Sequence, residues 1–118
     1  MIDHCFKIKG KGTVITGTVV EGRVKPGEEI ELCELQQKCK IKSMEMFRKP
    51  VQVARQGDRI AMLMQHLDAE QVERGIACTP GYLRRCRKFA IDLHLVRLYK
   101  RPIKNKAKFN IMSGHQTV

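Results

Sequence analysis

What these 118 residues lack narrows the field before any motif is read. No apolar run approaches the roughly 18 residues of a membrane span, and Met1 to Lys11 holds no hydrophobic core of a secretory leader. Hydrophobic residues make up 42% and charged residues 30%, a globular composition rather than a disordered one. A cytoplasmic protein with no membrane partner is the expectation. The cysteines, at 5, 33, 39, 78 and 86, include no Cys-x-x-Cys pair and fit no zinc-ribbon or finger spacing. They read as reduced thiols packed as small hydrophobes, and no metal is expected. No serine stands with a His/Asp partner set, and the carboxylates are scattered. Gly10-Lys11-Gly12-Thr13 shares residues with a phosphate-binding loop, but that loop needs Gly-x-x-x-x-Gly-Lys-Ser/Thr between a strand and a helix. Between two strand-like runs it reads as a hairpin turn. His66, His94 and His115 suggest no chemistry. No enzyme activity is expected of this chain.

Acidic residues also run out along the chain. Residues 1–83 carry 13 Lys and Arg against 11 Asp and Glu, a net of +2, whereas residues 84–118 carry 10 against the single Asp92, a net of +9. Such asymmetry points to an anionic partner, for which a phosphate backbone is the usual choice, or to a solvated basic face. No basic amphipathic helix accompanies it, so RNA is favoured over a membrane surface.

What is present has a period of two. Phe6-Lys7-Ile8-Lys9 alternates into the Gly10-Lys11-Gly12 turn, and Thr13 to Val20 returns as a β-branched strand. Val24-Lys25-Pro26-Gly27 is a turn before Glu28 to Leu32, Cys39 to Met44 alternates again, and Arg59 to Gln65 is a short apolar strand after Gln56-Gly57-Asp58. Short strands with a turn every 8–12 residues indicate an all-β barrel or sandwich. One short helix is expected from Asp68 to Arg74, capped by Asp68 and ended by Gly75. After Thr79-Pro80-Gly81 a basic connector, Leu83 to Lys88, marks a boundary. The domains are therefore residues 1–83 and residues 84–118, the second incomplete, with strands expected at Phe89–Leu95 and Lys106–Ile111.

One polar group stands out. Asp3-His4 opens the first strand and Arg59 opens the apolar one. At one barrel rim His4 and Arg59 would offer a cationic pocket, with Asp3 orienting either; otherwise they are rim residues in solvent.

The run Asp3-His4-x-Phe6-x-Ile8-x-Gly10-x-Gly12-Thr13-Val14-x-Thr16-Gly17 resembles the first two strands of domain II in elongation factor Tu-like GTPases. The likeness continues through Val24 to Glu31, Met44-Glu45-Met46-Phe47-Arg48-Lys49, Gln56-Gly57-Asp58 and Glu73-Arg74-Gly75. Residues 84–118 resemble the start of domain III, with Ala107-Lys108-Phe109 and Gly114-His115 as landmarks. Elongation factor Tu typically has Glu-Asp in place of Asp3-His4 and Asn in place of Arg59. At these three positions the chain is similar to the selenocysteine-specific elongation factors of the SelB type.

That resemblance implies a translation-factor β-barrel followed by an incomplete second barrel. It implies that Asp3, His4 and Arg59 form the pocket for the selenocysteyl group, and that Glu45 binds the ribose of the terminal tRNA adenosine. Ile8, Val14 and Leu63 would wall its adenine, or else serve as ordinary barrel packing. Lys7, Lys9 and Lys11, alternating along one strand edge, would meet acceptor-stem phosphates or simply face solvent. The implied partners are selenocysteyl-tRNA, the ribosome, the factor's own GTPase domain and the selenocysteine-insertion RNA element, reached directly or through an adaptor. GTP and Mg belong to that GTPase domain, which lies outside this sequence, so no cofactor is expected within it.

Overall fold

The apolar period of two resolves into strands in the computed structural model. The structure describes residues 1–84, 86–113 and 116–117, with backbone alone for Gln71, Ser113, Gln116 and Thr117. Arg85 of the basic connector and the Gly114-His115 landmark lie outside the described residues. The chain divides into two units, Met1–Arg84 and Arg85–Val118.

In the first unit the strands are β1 (Ile2–Ile8), β2 (Gly12–Thr18), β3 (Arg23–Val24), β4 (Glu29–Leu32), β5 (Gln37–Met46), β6 (Lys49–Pro50), β7 (Ala54–Arg55), β8 (Arg59–Gln65) and β9 (Ala77–Cys78). The main sheet runs β1-β2-β8-β5-β4-β9, with β6 paired to β5, while β3 and β7 form a separate ribbon. The sheet curls until its ends meet. Ile2 N–H donates to Gly75 O at 2.7 Å and Gly75 N–H to Ile2 O at 3.3 Å, three residues before β9 ends against β4. Residues 75–78 thus form a seam that joins the first strand to β4, touching β1 through the single bridge at Ile2. The fold is all-β, as expected.

Inward-facing residues of every long strand fill the interior: Ile2, Ile15, Ile30, Leu32, Ile41, Met44, Ile60, Met62 and Met64 are all buried. Thr13 is the buried polar exception, and its hydroxyl donates to Leu67 O at 2.5 Å, so no donor is stranded.

Two turns depend on backbone freedom. Gly10 at φ 78° and Gly12 at φ 122° make the β1–β2 hairpin that the Gly-Lys-Gly run predicts. The β5–β6 hairpin instead puts Phe47 and Arg48 in the left-handed region, at φ 50° and 65°, where side chains are disfavoured.

Two expectations are corrected. The helix over 68–74 is one 3-10 turn, Ala69–Gln71. Asp68 does cap it, accepting from Glu70 N–H at 3.3 Å, but Val72 returns to extended backbone and Gly75 pairs with Ile2 instead of ending a helix. Glu34 accepts the Ile76 N–H through both carboxylate oxygens, at 3.0 and 3.2 Å, and a Cβ on Gly75 would run into that carboxylate. Tertiary pairing outbids a two-turn helix that had little nucleation strength. The strands at 89–95 and 106–111 do not form either. Among its described residues the second unit holds one small hairpin, β10 (Met112–Ser113) with β11 (Gln116–Thr117). Phe89, Ile91, Leu93, Leu95 and Phe109 stay largely exposed. Alternation gives a strand only where another strand supplies ladder partners, and neither run has one here.

Candidate functional site

The site is built by register. Strand β1 pairs with β2, β2 with β8 and β8 with β5, all antiparallel. Directly paired residues point to the same side of a sheet. One row across the outer face is therefore His4, Thr16, Ala61 and Glu45, and the next is Phe6, Val14, Leu63 and Ser43. Ile8, opposite Gly12, extends the face at one end, and Arg59, opposite Thr18, lies at the other.

Two β-bulges put these residues outside the barrel. Ile2 faces the core, so strict alternation would send His4, Phe6 and Ile8 inward. The register instead shifts between Ile2 and His4, leaving Asp3 as the extra residue and turning the next three outward. In β5, Ile41 and Met44 are both in the core because the register shifts between Ile41 and Ser43, with Lys42 as the extra residue. Ser43 and Glu45 are thereby turned out.

At the rim, Arg59 Nη1 meets Asp3 Oδ2 at 2.7 Å. That oxygen is shut off from solvent, while the Arg59 side chain remains 60% exposed. The bulge thus delivers a carboxylate that aims the guanidinium, and a side chain with five N–H donors keeps most of them open to a ligand. His4 lies on the adjacent row of the same face.

Next to this polar rim is an apolar platform. Val14 is 8% exposed although it points outward, because Phe6 and Leu63 flank it in the row. Phe6 and Ile8 remain open, at 44% and 36%. Gly12, opposite Ile8, borders the platform: a Cβ there would make an ordinary contact with Leu63 Cδ1 at 3.6 Å. Glu45, exposed, closes the far side from β5. The face therefore has a hydrogen-bonding carboxylate at one edge, a flat apolar middle suited to a base or ring, and a cationic rim.

The structure brings Asp3, His4, Arg59, Glu45, Ile8, Val14 and Leu63 onto or beside this one face. It does not align Lys7, Lys9 and Lys11 along a strand edge. Lys7 ends up on the opposite face of β1 from Phe6 and Ile8, and Lys9 and Lys11 sit in the turn because the strand stops at Ile8. Phe6 and Thr16 were missed as site residues, although the spacing 4, 6, 8 and 14, 16 already groups them with their neighbours. A cavity of about 450 Å³, at the barrel end between Ile2, Ile30, Ile60 and Tyr82, includes none of the candidate site residues. Among the described residues no His, Cys, Asp and Glu group could hold a metal ion, and no helix is long and apolar enough to cross a membrane.

Comparison with known proteins fits this architecture. Over 117 residues, 99% of this chain and 20% of the relative, the chain is 41% identical to a selenocysteine-specific elongation factor of Mus musculus. It is 35% identical over 119 residues to one of Methanocaldococcus jannaschii, covering 99% of this chain and 25% of that protein. The chain thus spans a fifth to a quarter of the curated relatives it matches. Among solved structures, apo translation elongation factor SelB from Methanococcus maripaludis superposes with a TM-score of 0.60 at 42% identity, over 64% of this chain and 16% of that one. A bacterial selenocysteine-specific elongation factor EF-Sec gives 0.63 at 31%, over 68% and 14%. Residues 12–79 match the family model described as elongation factor Tu domain 2, and the chain belongs to that family.

Proposed function

We propose that this barrel holds the aminoacylated 3′ end of selenocysteyl-tRNA within a selenocysteine-specific elongation factor, for GTP-dependent delivery to the ribosome. The observation that carries the reading is the register, which places the Asp3–Arg59 pair, His4, the Phe6-Ile8-Val14-Leu63 platform and Glu45 on one outward face. The relatives named above are factors for selenocysteine, and the family is a translation-factor barrel.

Each part of the face has a task. The terminal adenine lies against Ile8, Val14 and Leu63, and Glu45 accepts from the ribose 2′-OH, a strong hydrogen bond because the acceptor is charged. The selenocysteyl side chain reaches the rim. A selenol is far more acidic than an alcohol, so it arrives as an anion where a serine arrives neutral. Arg59, aimed by Asp3, donates to that anion, and a protonated His4 adds a second charge. One charge-assisted hydrogen bond contributes about 1.5–3 kcal/mol, which is roughly tenfold to a hundredfold preference for the selenocysteyl form. The lysines of the β1–β2 turn, Lys9 and Lys11, with Lys7 behind them, face the acceptor-stem phosphates. GTP and Mg act in the factor's GTPase domain, and the insertion-signal RNA is read elsewhere in the factor or by an adaptor.

The test compares the full-length, GTP-bound factor on selenocysteyl-tRNA and on the seryl form of the same tRNA, before and after Arg59→Asn. Preference for the selenocysteyl form that disappears with the substitution supports the anion pocket. Equal binding of both forms with Arg59 intact leaves a general aminoacyl-tRNA barrel. Unaltered tRNA affinity after both Glu45→Ala and Arg59→Ala would move the barrel's role to docking on the ribosome or on the GTPase domain.

A further inference from the structure

The seam that closes the barrel carries a feature unrelated to the outer face. Two of the five thiols, Cys33 and Cys78, lie with their sulfurs 3.3 Å apart although 45 residues separate them in sequence. Of the other cysteines, Cys39 is buried in the core, Cys5 is half-buried in β1, and Cys86, exposed, belongs to the second unit. The strand ladder makes the meeting. Glu31 is paired with Cys78 and Leu32 with Ala77, and Cys33 N–H donates to Ile76 O at 3.0 Å. Cys33 follows the last residue of β4 and Cys78 is the last of β9, so neither sulfur hangs from the middle of a ladder. Bringing them from contact to a bonded separation of about 2.05 Å takes a small shift at two strand ends. Both residues are also partly open to solvent, so a small oxidant reaches them.

We propose that Cys33 and Cys78 are a modification site: a dithiol that oxidises to a reversible disulfide and locks the barrel seam. With a peroxide as oxidant, one sulfur takes an oxygen from hydrogen peroxide, forming a sulfenic acid as the O–O bond breaks and water is released. The second sulfur then displaces the hydroxyl as a second water, giving the disulfide. Both sulfurs are oxidised, the peroxide is reduced, and two thiol protons leave in the waters. Burial, together with the hydrogen bond between the two thiols, pushes Cys33 up to about 12. Attack through Cys33 is therefore slow at neutral pH and accelerates as pH rises.

The consequence is mechanical. The bond would close a loop of 45 residues and tie residues 75–78 to β4. The same segment holds Ile2 through Gly75, one residue before the Asp3 bulge. Removing loop-closure entropy from the unfolded chain raises the melting temperature of the oxidised form, by on the order of 10 °C.

The experiment treats the folded chain with hydrogen peroxide, blocks free thiols with iodoacetamide, and digests with trypsin without reduction. Cleavage gives peptide 24–38 with Cys33 as its one cysteine and peptide 75–84 with Cys78 as its one cysteine. The expected result is those two peptides joined, two hydrogens lighter than their sum, and separated again by dithiothreitol. Cys78→Ser should abolish the joined species and leave Cys33 alkylated or singly oxidised. A melting curve of the untreated and oxidised chain, each with and without reductant, reads the stabilisation independently of the variant. Sulfinic or sulfonic acid on either cysteine without the joined peptide, or cross-links that run mainly through Cys86, overturns the proposal.

Discussion

Replacing Gly17 by alanine should open the barrel beside the candidate site, and its size follows from the local geometry. Gly17 sits inside β2, opposite Ile2, with its missing side chain directed at the start of the chain. A Cβ there would overlap the Met1 carbonyl and stand 3.2 Å from Ile2 Cα. Two hydrogen bonds hold that segment: Thr18 N–H to Met1 O at 3.0 Å and the Met1 amino group to Thr18 O at 2.8 Å. Displacing Met1 weakens both, at about 0.5–1.5 kcal/mol each. Ile2, 2% exposed, is drawn partly out of the core, for about 1–2 kcal/mol of its full burial value. Against this, alanine lowers the entropy of the unfolded chain by about 0.5–1 kcal/mol. The net is a loss of about 2–3 kcal/mol, or roughly 10–20 °C in melting temperature for a unit of this size. Urea denaturation followed by far-UV circular dichroism measures it, with Gly27→Ala as the comparison, because a Cβ at Gly27 meets nothing and only its φ of 86° is strained. Unchanged or raised stability in Gly17→Ala would falsify the claim that the chain start is clamped onto β2.

Other outcomes follow from the same structure. Thr13→Val keeps the shape but leaves the buried Leu67 carbonyl without its donor, so chemical denaturation should register a loss of about 1–3 kcal/mol. Changing Phe47-Arg48 to Asn-Gly relieves two left-handed residues and should stabilise by about 1 kcal/mol or more; a loss would mean the exposed Phe47 ring has a packing role. Arg59→Asn should alter stability by no more than about 1 kcal/mol, since its ion pair with Asp3 is largely exposed on the arginine side, and a large destabilisation would show Arg59 to be structural. Stability should hold up to pH 9 and then fall towards pH 12. In that window the unfolded Cys33 thiol, with its ordinary value of 9.0, has ionised while the folded one, pushed up to about 12 by burial and its bond to Cys78, keeps its proton. Burial raises Cys5 and Cys39 in the same direction. Denaturation midpoints across this range should decline less steeply in Cys33→Ser.

The alternation of Thr13 to Val20 and Arg59 to Gln65, the Gly-Lys-Gly turn and the Pro-Gly turn were enough to read an all-β fold, because strand faces and turn dihedrals are set by neighbours in sequence. The resemblance that runs through Asp3-His4, Glu45 and Arg59 named the candidate residues on chemical identity alone. Which way those residues face was not legible. Period two counted from Ile2 sends His4, Phe6 and Ile8 into the core, and counted from Ile41 it sends Ser43 and Glu45 there too. Only the bulges at Asp3 and Lys42 reverse both, and a bulge is fixed by the partner strand's register, which is non-local. Strand pairing likewise decided that Gly75 would close the sheet on Ile2 instead of ending a helix, and that Cys33 and Cys78 would meet. The exposed alternation at 89–95 is the converse case: the pattern is local and plain, but a strand exists only when another strand accepts its hydrogen bonds.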